Sequence, residues 1–302
     1  MGVLSLADLV GSSAVLRTHL PGIERAARSE VPVLIAGESG TGRSLLAQLL
    51  HRASARASGP LIEADLATIP SDLFESELFG HRAGAFTGAV ADNPGRVGRA
   101  EGGTLVLDHV EEIPLGSQSK LLRLLAEGRY TPLGGRERAA DLRLVSIGSI
   151  DLPERVARGA FREDLYYRLE VLAFRLPALR ERMDDLDTLV DGLLTDICSR
   201  LDRPVPELAP SALEWMGDYG WPGNLRQLRN VLERALVLPS EGELVPEPPA
   251  DREAPPRRLE EVERDEIVKA LRYTRGHQGE AARLLGISRK TLWEKRRRYG
   301  LP

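Results

Sequence analysis

Residues 37–44 read Gly37-Glu38-Ser39-Gly40-Thr41-Gly42-Arg43-Ser44, a glycine-spaced loop closed by a basic residue and a hydroxyl. Glycines let backbone N–H groups converge on one point, and a helix N-terminus adds positive partial charge, so the stretch suits a phosphate. Ser44 stands where a hydroxyl ligand for Mg2+ is needed, which points to ATP with Mg2+ as the occupant. The pattern usually carries Lys where this chain has Arg43. Further on, the apolar run Leu105-Val106-Leu107 ends in the carboxylate Asp108. Such a strand end can hold Mg2+ beside a phosphate loop, although a strand-terminating turn residue would look the same. At the other end of the chain, residues 275–302 hold eight Lys/Arg against two acidic residues, a local excess of the kind that meets nucleic acid.

These groups need a frame. The β-branched run at 33–36 predicts a buried strand before the loop, and Leu45, Leu46, Leu49 and Leu50 predict a helix after it. Residues 1–30 read as a capping segment and an amphipathic helix through Leu16, Leu20, Ile23, Ala26 and Ala27. Further strands are predicted at 61–64, 104–107, 142–147 and 171–176, alternating with helical stretches. That rhythm gives the fold class: α/β, a parallel sheet covered by helices. Residues 177–238 read as a helical lid with stripes at Leu186/Leu189/Val190/Leu193/Leu194 and Leu225/Leu228/Val231/Leu232/Ala235. Six prolines among the eighteen residues 239–256 predict a semi-extended tether. The expected divisions are therefore 1–176, 177–238, a linker at 239–258, and a small all-α domain at 259–302.

In that last domain Leu259, Val262, Ile267, Ala270 and Leu271 share one helix face, and a second helix at 278–285 turns Ala281, Leu284 and Leu285 inward. Gly286 supplies a turn, Ile287 plugs the core, and Ser288 caps the next helix. Two helices joined this way form a helix-turn-helix. Arg289, Lys290 and Thr291 then enter the major groove, where Arg can pair with guanine. Lys295, Arg296, Arg297 and Arg298 face phosphates, and Trp293 is read as a packing residue at the edge of the fold, with base stacking as the alternative. A solvated basic helix end would show the same charges.

With 302 residues, 42% hydrophobic and 28% charged, the composition is that of a globular protein with a sizeable core. Cys198 is the only cysteine, which excludes an internal disulfide and a multi-cysteine zinc site. The chain shows no leader and no apolar run of membrane-spanning length, so a cytoplasmic protein with no membrane partner is expected.

Several blocks together resemble the AAA+ core of the bacterial enhancer-binding proteins, the activators of sigma-54 RNA polymerase. They are Gly37–Gly42, Glu77-Leu78-Phe79-Gly80-His81, Gly84-Ala85-Phe86-Thr87-Gly88-Ala89, Gly102–Asp108, Phe161–Leu169 and Trp221-Pro222-Gly223-Asn224-Leu225-Arg226. Ala281–Ser288 is similar to the family's Fis-type helix-turn-helix. The resemblance implies that Gly84, Phe86, Thr87 and Gly88 form a loop touching sigma-54. The glycines permit the mobility and Phe86 offers an aromatic anchor, unless it folds back on the core. It implies that Arg162 and Arg168 are arginine fingers reaching a neighbouring subunit in a ring, expected to be hexameric, of this chain or of paralogues; a solvated basic face is the plain alternative. Arg226 matches a lid arginine that senses nucleotide. Enhancer-like DNA and sigma-54 polymerase are the implied partners, and no receiver or ligand-sensing domain is expected ahead of the AAA+ fold.

The departures cluster. Arg43 replaces the loop Lys, and a planar guanidinium is no simple substitute for an ammonium. His109 stands where the family has the carboxylate that polarises the attacking water, and Asp65 where an Asn holds it. Gly148-Ser149-Ile150 replaces a polar sensor. Glu111 and Glu112 lie close by as candidate replacements, although an offset of two or three residues would misplace the carboxylate. The four changes predict that ATP is bound and poorly hydrolysed, with Asp108, His109, Arg162 and Arg168 as the catalytic positions to test. A non-hydrolysing DNA-binding scaffold, or a partner in a mixed ring, is the alternative.

Overall fold

The computed structural model describes residues 14–237, 243–249, 259–274 and 277–299. The capping segment at 1–13, much of the 239–258 linker, and the side chains of Leu16, Leu20, Leu259 and Val262 lie outside the described residues. The chain falls into two compact units, Met1–Pro248 and Pro249–Pro302.

In the first unit, helix α1 (Ala14–Ala27) leads to strand β1 (Val33–Gly37) and helix α2 (Arg43–Arg52). Then come β2 (Leu61–Asp65), α3 (Phe74–Phe79), α4 (Gly95–Arg99), β3 (Thr104–Asp108) and α5 (Leu115–Glu127). A short ribbon, β4 (Arg129–Tyr130) with β5 (Arg138–Ala139), precedes β6 (Arg143–Gly148), α6 (Leu152–Ala157), α7 (Glu163–Leu169) and β7 (Leu172–Leu176). The long strands pair in parallel in the order β2-β3-β6-β1-β7. Apolar side chains fill both faces, as βαβ crossovers require. Ile23, Ala26, Ala27, Leu46 and Leu50 pack on one side with Ile35 and Val145. Phe74, Leu78, Phe79, Leu121, Phe161 and Leu165 pack on the other with Leu105 and Leu107.

Arg143, only 1% exposed, opens β6 inside this sandwich. Its guanidinium donates to the carbonyls of Ala26 (2.7 Å), Ala27 (3.0 Å) and Leu50 (3.4 Å). Those carbonyls belong to the last turns of α1 and α2, where the helix leaves acceptors unpaired and a cation is favoured. His51, buried beside it, meets Thr104 Oγ1 at 2.9 Å. Burial pushes its imidazole below the ordinary value of 6.5, and the Arg143 charge pushes the same way. Above pH 6.5 both folded and unfolded chains keep His51 neutral. Below it the unfolded chain takes up a proton that the folded chain refuses, so stability falls with falling pH. The thermal midpoint of the wild type should therefore drop more steeply between pH 6.5 and more acidic buffers than that of His51→Gln; equal slopes would place the titration elsewhere.

Helices α8 (Leu186–Leu201), α9 (Pro210–Asp218) and α10 (Asn224–Val237) form the lid. Their inward stripes close over Trp221, whose indole N–H donates to Met216 O at 2.8 Å. Leu244 belongs to the same core and bridges Leu208. Part of the segment read as a tether is thus packed, because one leucine among prolines suffices to dock on an apolar groove.

In the second unit, α11 (Leu259–Tyr273), α12 (Gln278–Leu284) and α13 (Arg289–Arg298) enclose Ile267, Ala270, Ala281, Ala282 and Leu292. Gly286 has φ 66°, the left-handed turn expected of it. Leu284, read as inward, is 60% exposed. Ala282 takes its place, because the Ile287 N–H returns to Ala282 O at 3.0 Å and rotates the inward stripe to 281, 282 and 285.

Candidate nucleotide site and nucleic-acid interface

Parallel register brings Gly37, Asp65, Asp108 and Gly148 to the same edge: Asp65 pairs with Asp108, and Ala36 with Gly148. In such sheets the carboxyl edge is where ligands sit. Between β1 and α2 the loop turns through Gly40 (φ 81°) and Gly42 (φ 102°). Gly42 caps α2 without any side-chain hydrogen bond, so the first-turn amides face outward. Ser44 is exposed on that turn.

Arg43 is buried. Its Nη1 donates to Gly37 O at 3.0 Å and to Gly148 O at 2.9 Å, bracing the ends of β1 and β6. His109 sits in the left-handed region at φ 58°. Its Nδ1 lies 2.9 Å from Asp65 Oδ1 and 3.6 Å from Asp108 Oδ1, while its backbone N–H donates to Asp108 Oδ1 at 2.9 Å. The two unusual residues, one ending β2 and one directly after β3, therefore form one pair. Glu111 Oε2 accepts the Ser149 N–H at 3.1 Å. A Cβ on Gly148 would lie 3.6 Å from that same oxygen, so Glu111 borders the space a sensor side chain would use. Glu112 is turned to Arg155 at 3.2 Å.

The lid rests on the loop. Arg180 grips Glu38 with two bonds of 2.8 and 2.5 Å and holds its carboxyl below the usual range. Asn224, buried at φ 50°, donates to Glu38 Oε2 (3.2 Å) and Ser39 O (3.0 Å) and accepts from Leu179 N–H (2.8 Å). Arg226 reaches Ser39 Oγ at 3.0 Å, and Leu225 N–H bonds Gly40 O at 2.9 Å. A Cβ on Gly40 would fall 2.3 Å from Gly223 O, so glycine alone permits this approach. Sequence reasoning assigned no role to Asn224 or Arg180; the only sign of Asn224 was a polar residue inside the Trp221–Arg226 block, and Arg180 gave none.

Gly84 and Gly88, at φ 81° and 103°, flank a loop closed by Gly84 N–H to Ala89 O at 2.8 Å, with open space around both glycines. Phe86 is 37% exposed and packs edge-on to His81 at 5.0 Å; Thr87 is exposed. Arg82 pairs with Asp92 at the base of the loop. Arg162 makes a forked pair with Asp164 (3.0 and 2.7 Å), and Arg168 meets Leu125 O at the end of α5 (3.1 Å).

On α13, Ser288 Oγ accepts the Thr291 N–H at 3.0 Å, the expected cap. Arg289, Lys290, Arg297 and Arg298 are exposed. Lys295 is engaged with Glu263, which also takes the Tyr299 hydroxyl at 2.6 Å, so it ties α13 to α11. Arg296 is half-buried. Trp293, expected to pack, is 55% exposed, because Leu292 takes the inward position beside it.

The sheet order, the loop between β1 and α2 and the lid across it define an AAA+ phosphate-loop fold, followed by a helix-turn-helix module. The chain belongs to the sigma-54 activators: residues 9–175 match the Sigma-54 interaction domain family, 180–248 an AAA+ ATPase lid domain, and 258–299 the Fis family of bacterial regulatory proteins. It is 40% identical over 297 residues to the C4-dicarboxylate transport transcriptional regulatory protein DctD of Rhizobium meliloti, covering 97% of this chain and 64% of that protein. It is 38% identical over 334 residues to the DNA-binding transcriptional regulator NtrC of Proteus hauseri, covering 98% of this chain and 71% of that one. The chain thus spans just under two thirds of the length of DctD. Among solved structures, NtrX from Brucella abortus, determined also with ATP and with ADP, superposes with a TM-score of 0.72 at 31% identity, over 98% of this chain and 71% of NtrX. No helix among the described residues is long and apolar enough to cross a membrane.

Proposed function

We propose that this chain is a DNA-binding regulator of sigma-54 RNA polymerase that takes up ATP and hydrolyses it poorly. The observation that carries the reading is the His109–Asp65 pair, an imidazole held at 2.9 Å where the family resemblance calls for a water-polarising carboxylate. The uncapped α2 terminus and its exposed Ser44 suit a triphosphate. Gly37–Ser44 would cradle it, Arg226 would sense it from the lid, and Ser44 with Asp108 would hold Mg2+. That ion would offset phosphate charge. Arg43, already bound to two carbonyls, would meet phosphate through its remaining nitrogens. The loop Gly84–Ala89 would dock on sigma-54, with Phe86 and Thr87 outermost, and residues 259–302 would anchor the assembly on enhancer-like DNA.

A second reading, a partner subunit in a mixed ring, is favoured by Arg162 and Arg168. Both are exposed, so they remain presentable to a neighbour's γ-phosphate even where this chain's own site is slow. A finger supplied in trans requires a heterologous ring interface. Titration calorimetry with ATP and ADP, run beside a phosphate-release assay, tests the first reading: heat of binding with little phosphate released is expected. Absence of any uptake, alone or with a related subunit, would remove the nucleotide from the account. Open-complex formation on a sigma-54 promoter, by this chain alone or only after mixing with an active paralogue, separates the two readings.

A further inference from the structure

Helix α13 divides into two faces. Leu292 is 1% exposed and points into the small core. Thr291, Lys295, Arg296 and Tyr299 are half-buried on the same side. The other side carries Arg289, Lys290, Trp293, Glu294, Arg297 and Arg298, all exposed. At 100° per residue Trp293 falls between Arg289 and Arg297, one turn from each. A tryptophan 55% exposed amid cations has no packing purpose in the core of Ile267, Ala270, Ala281, Ala282 and Leu292. It is also held in place: the Arg297 guanidinium lies over its ring at 5.7 Å from the centroid, a cation–π contact. One face of the indole is covered by a charge suited to a phosphate, and the rest is left open at the front of the helix.

We infer that Trp293 is a base-reading residue, its apolar rim set against a thymine 5-methyl group in the major groove, with Arg297 steadying the ring and facing the adjacent phosphate. The inference rests on the DNA-binding reading of residues 259–302. The major groove is where A·T pairs present a methyl group, and apolar side chains are the groups that recognise it. Arg289 at the first turn reads guanine by hydrogen bonds; Trp293, one turn on, adds a contact that hydrogen bonding cannot make. A site selected by this chain should then hold a thymine at a fixed offset from the guanine.

The full chain is used to select duplexes from a random DNA library, and the most enriched duplex is remade with deoxyuridine replacing each thymine in turn. Deoxyuridine keeps every hydrogen bond and lacks only the methyl group. For the wild type, one thymine per half-site should show a loss of roughly fivefold to tenfold in affinity on this exchange. Trp293→Ala should lose about the same factor on the unmodified duplex and become indifferent to the exchange. Trp293→Gln, which keeps a long side chain on an exposed position, repeats the measurement should the alanine variant prove poorly folded by circular dichroism. If both variants keep the wild-type preference and its sensitivity to deoxyuridine, or lose selected and random duplexes equally, the assignment is overturned. If the wild type enriches no duplex at all, the DNA-binding reading itself fails, and this inference with it.

Discussion

Changing Arg43 to Lys, His109 to Glu and Asp65 to Asn together is expected to raise ATP turnover by the purified chain roughly 10²–10⁴-fold, the range a positioned general base contributes. The three belong together for a reason visible at the sheet edge. His109→Glu alone would set a carboxylate where Nδ1 now lies 2.9 Å from Asp65 Oδ1, and two carboxylates that close repel or share a proton. Asp65→Asn replaces repulsion by an amide donor. Arg43→Lys exchanges a side chain tied to Gly37 O and Gly148 O for a compact ammonium that can sit between phosphates. Phosphate release by single, double and triple variants should therefore be strongly non-additive, with each single variant gaining little and His109→Glu realising its gain only beside Asp65→Asn. A triple variant that binds ATP as tightly as the wild type yet turns it over no faster would place the defect in other residues.

Arg143→Met is expected to cost about 3–5 kcal/mol of folding stability, since each buried acceptor left without a partner costs about 1–3 kcal/mol. Methionine has a similar reach and fills the space, so the loss isolates the hydrogen bonds to Ala26 O, Ala27 O and Leu50 O. Urea unfolding of the full chain, followed by far-UV circular dichroism, measures it. A loss below about 1 kcal/mol would mean that water or relaxed helix ends satisfy those carbonyls.

The phosphate loop, its flanking strand and helix, and the turn at Gly286 are legible along the chain because each is written within a few residues. The parallel α/β class follows from the repeated strand–helix rhythm. What touches what across the sheet is not legible. Asp65 and His109 both stand out as exchanged residues, yet their contact depends on the register of β2 against β3, which no local pattern states. The buried cation Arg143 breaks no periodicity and so attracts no notice. Asn224 and Arg180 act on a loop far back in the chain, and Trp293 looks like any aromatic near a core until Leu292 is seen to fill that core.

Arg43 has one more consequence. A guanidinium owns five N–H groups, and both hydrogens on Nη1 are already engaged by the ends of neighbouring strands. Three remain, on Nη2 and Nε, two of them side by side along one edge of the plane. The side chain is therefore both crossbeam and hand, and an incoming anion would have to be met sideways. An ammonium has three hydrogens in all, and cannot stiffen two strands while keeping as many for a guest. On the proposed reading, position 43 would exchange the speed of a lysine for a stiffer floor beneath a nucleotide.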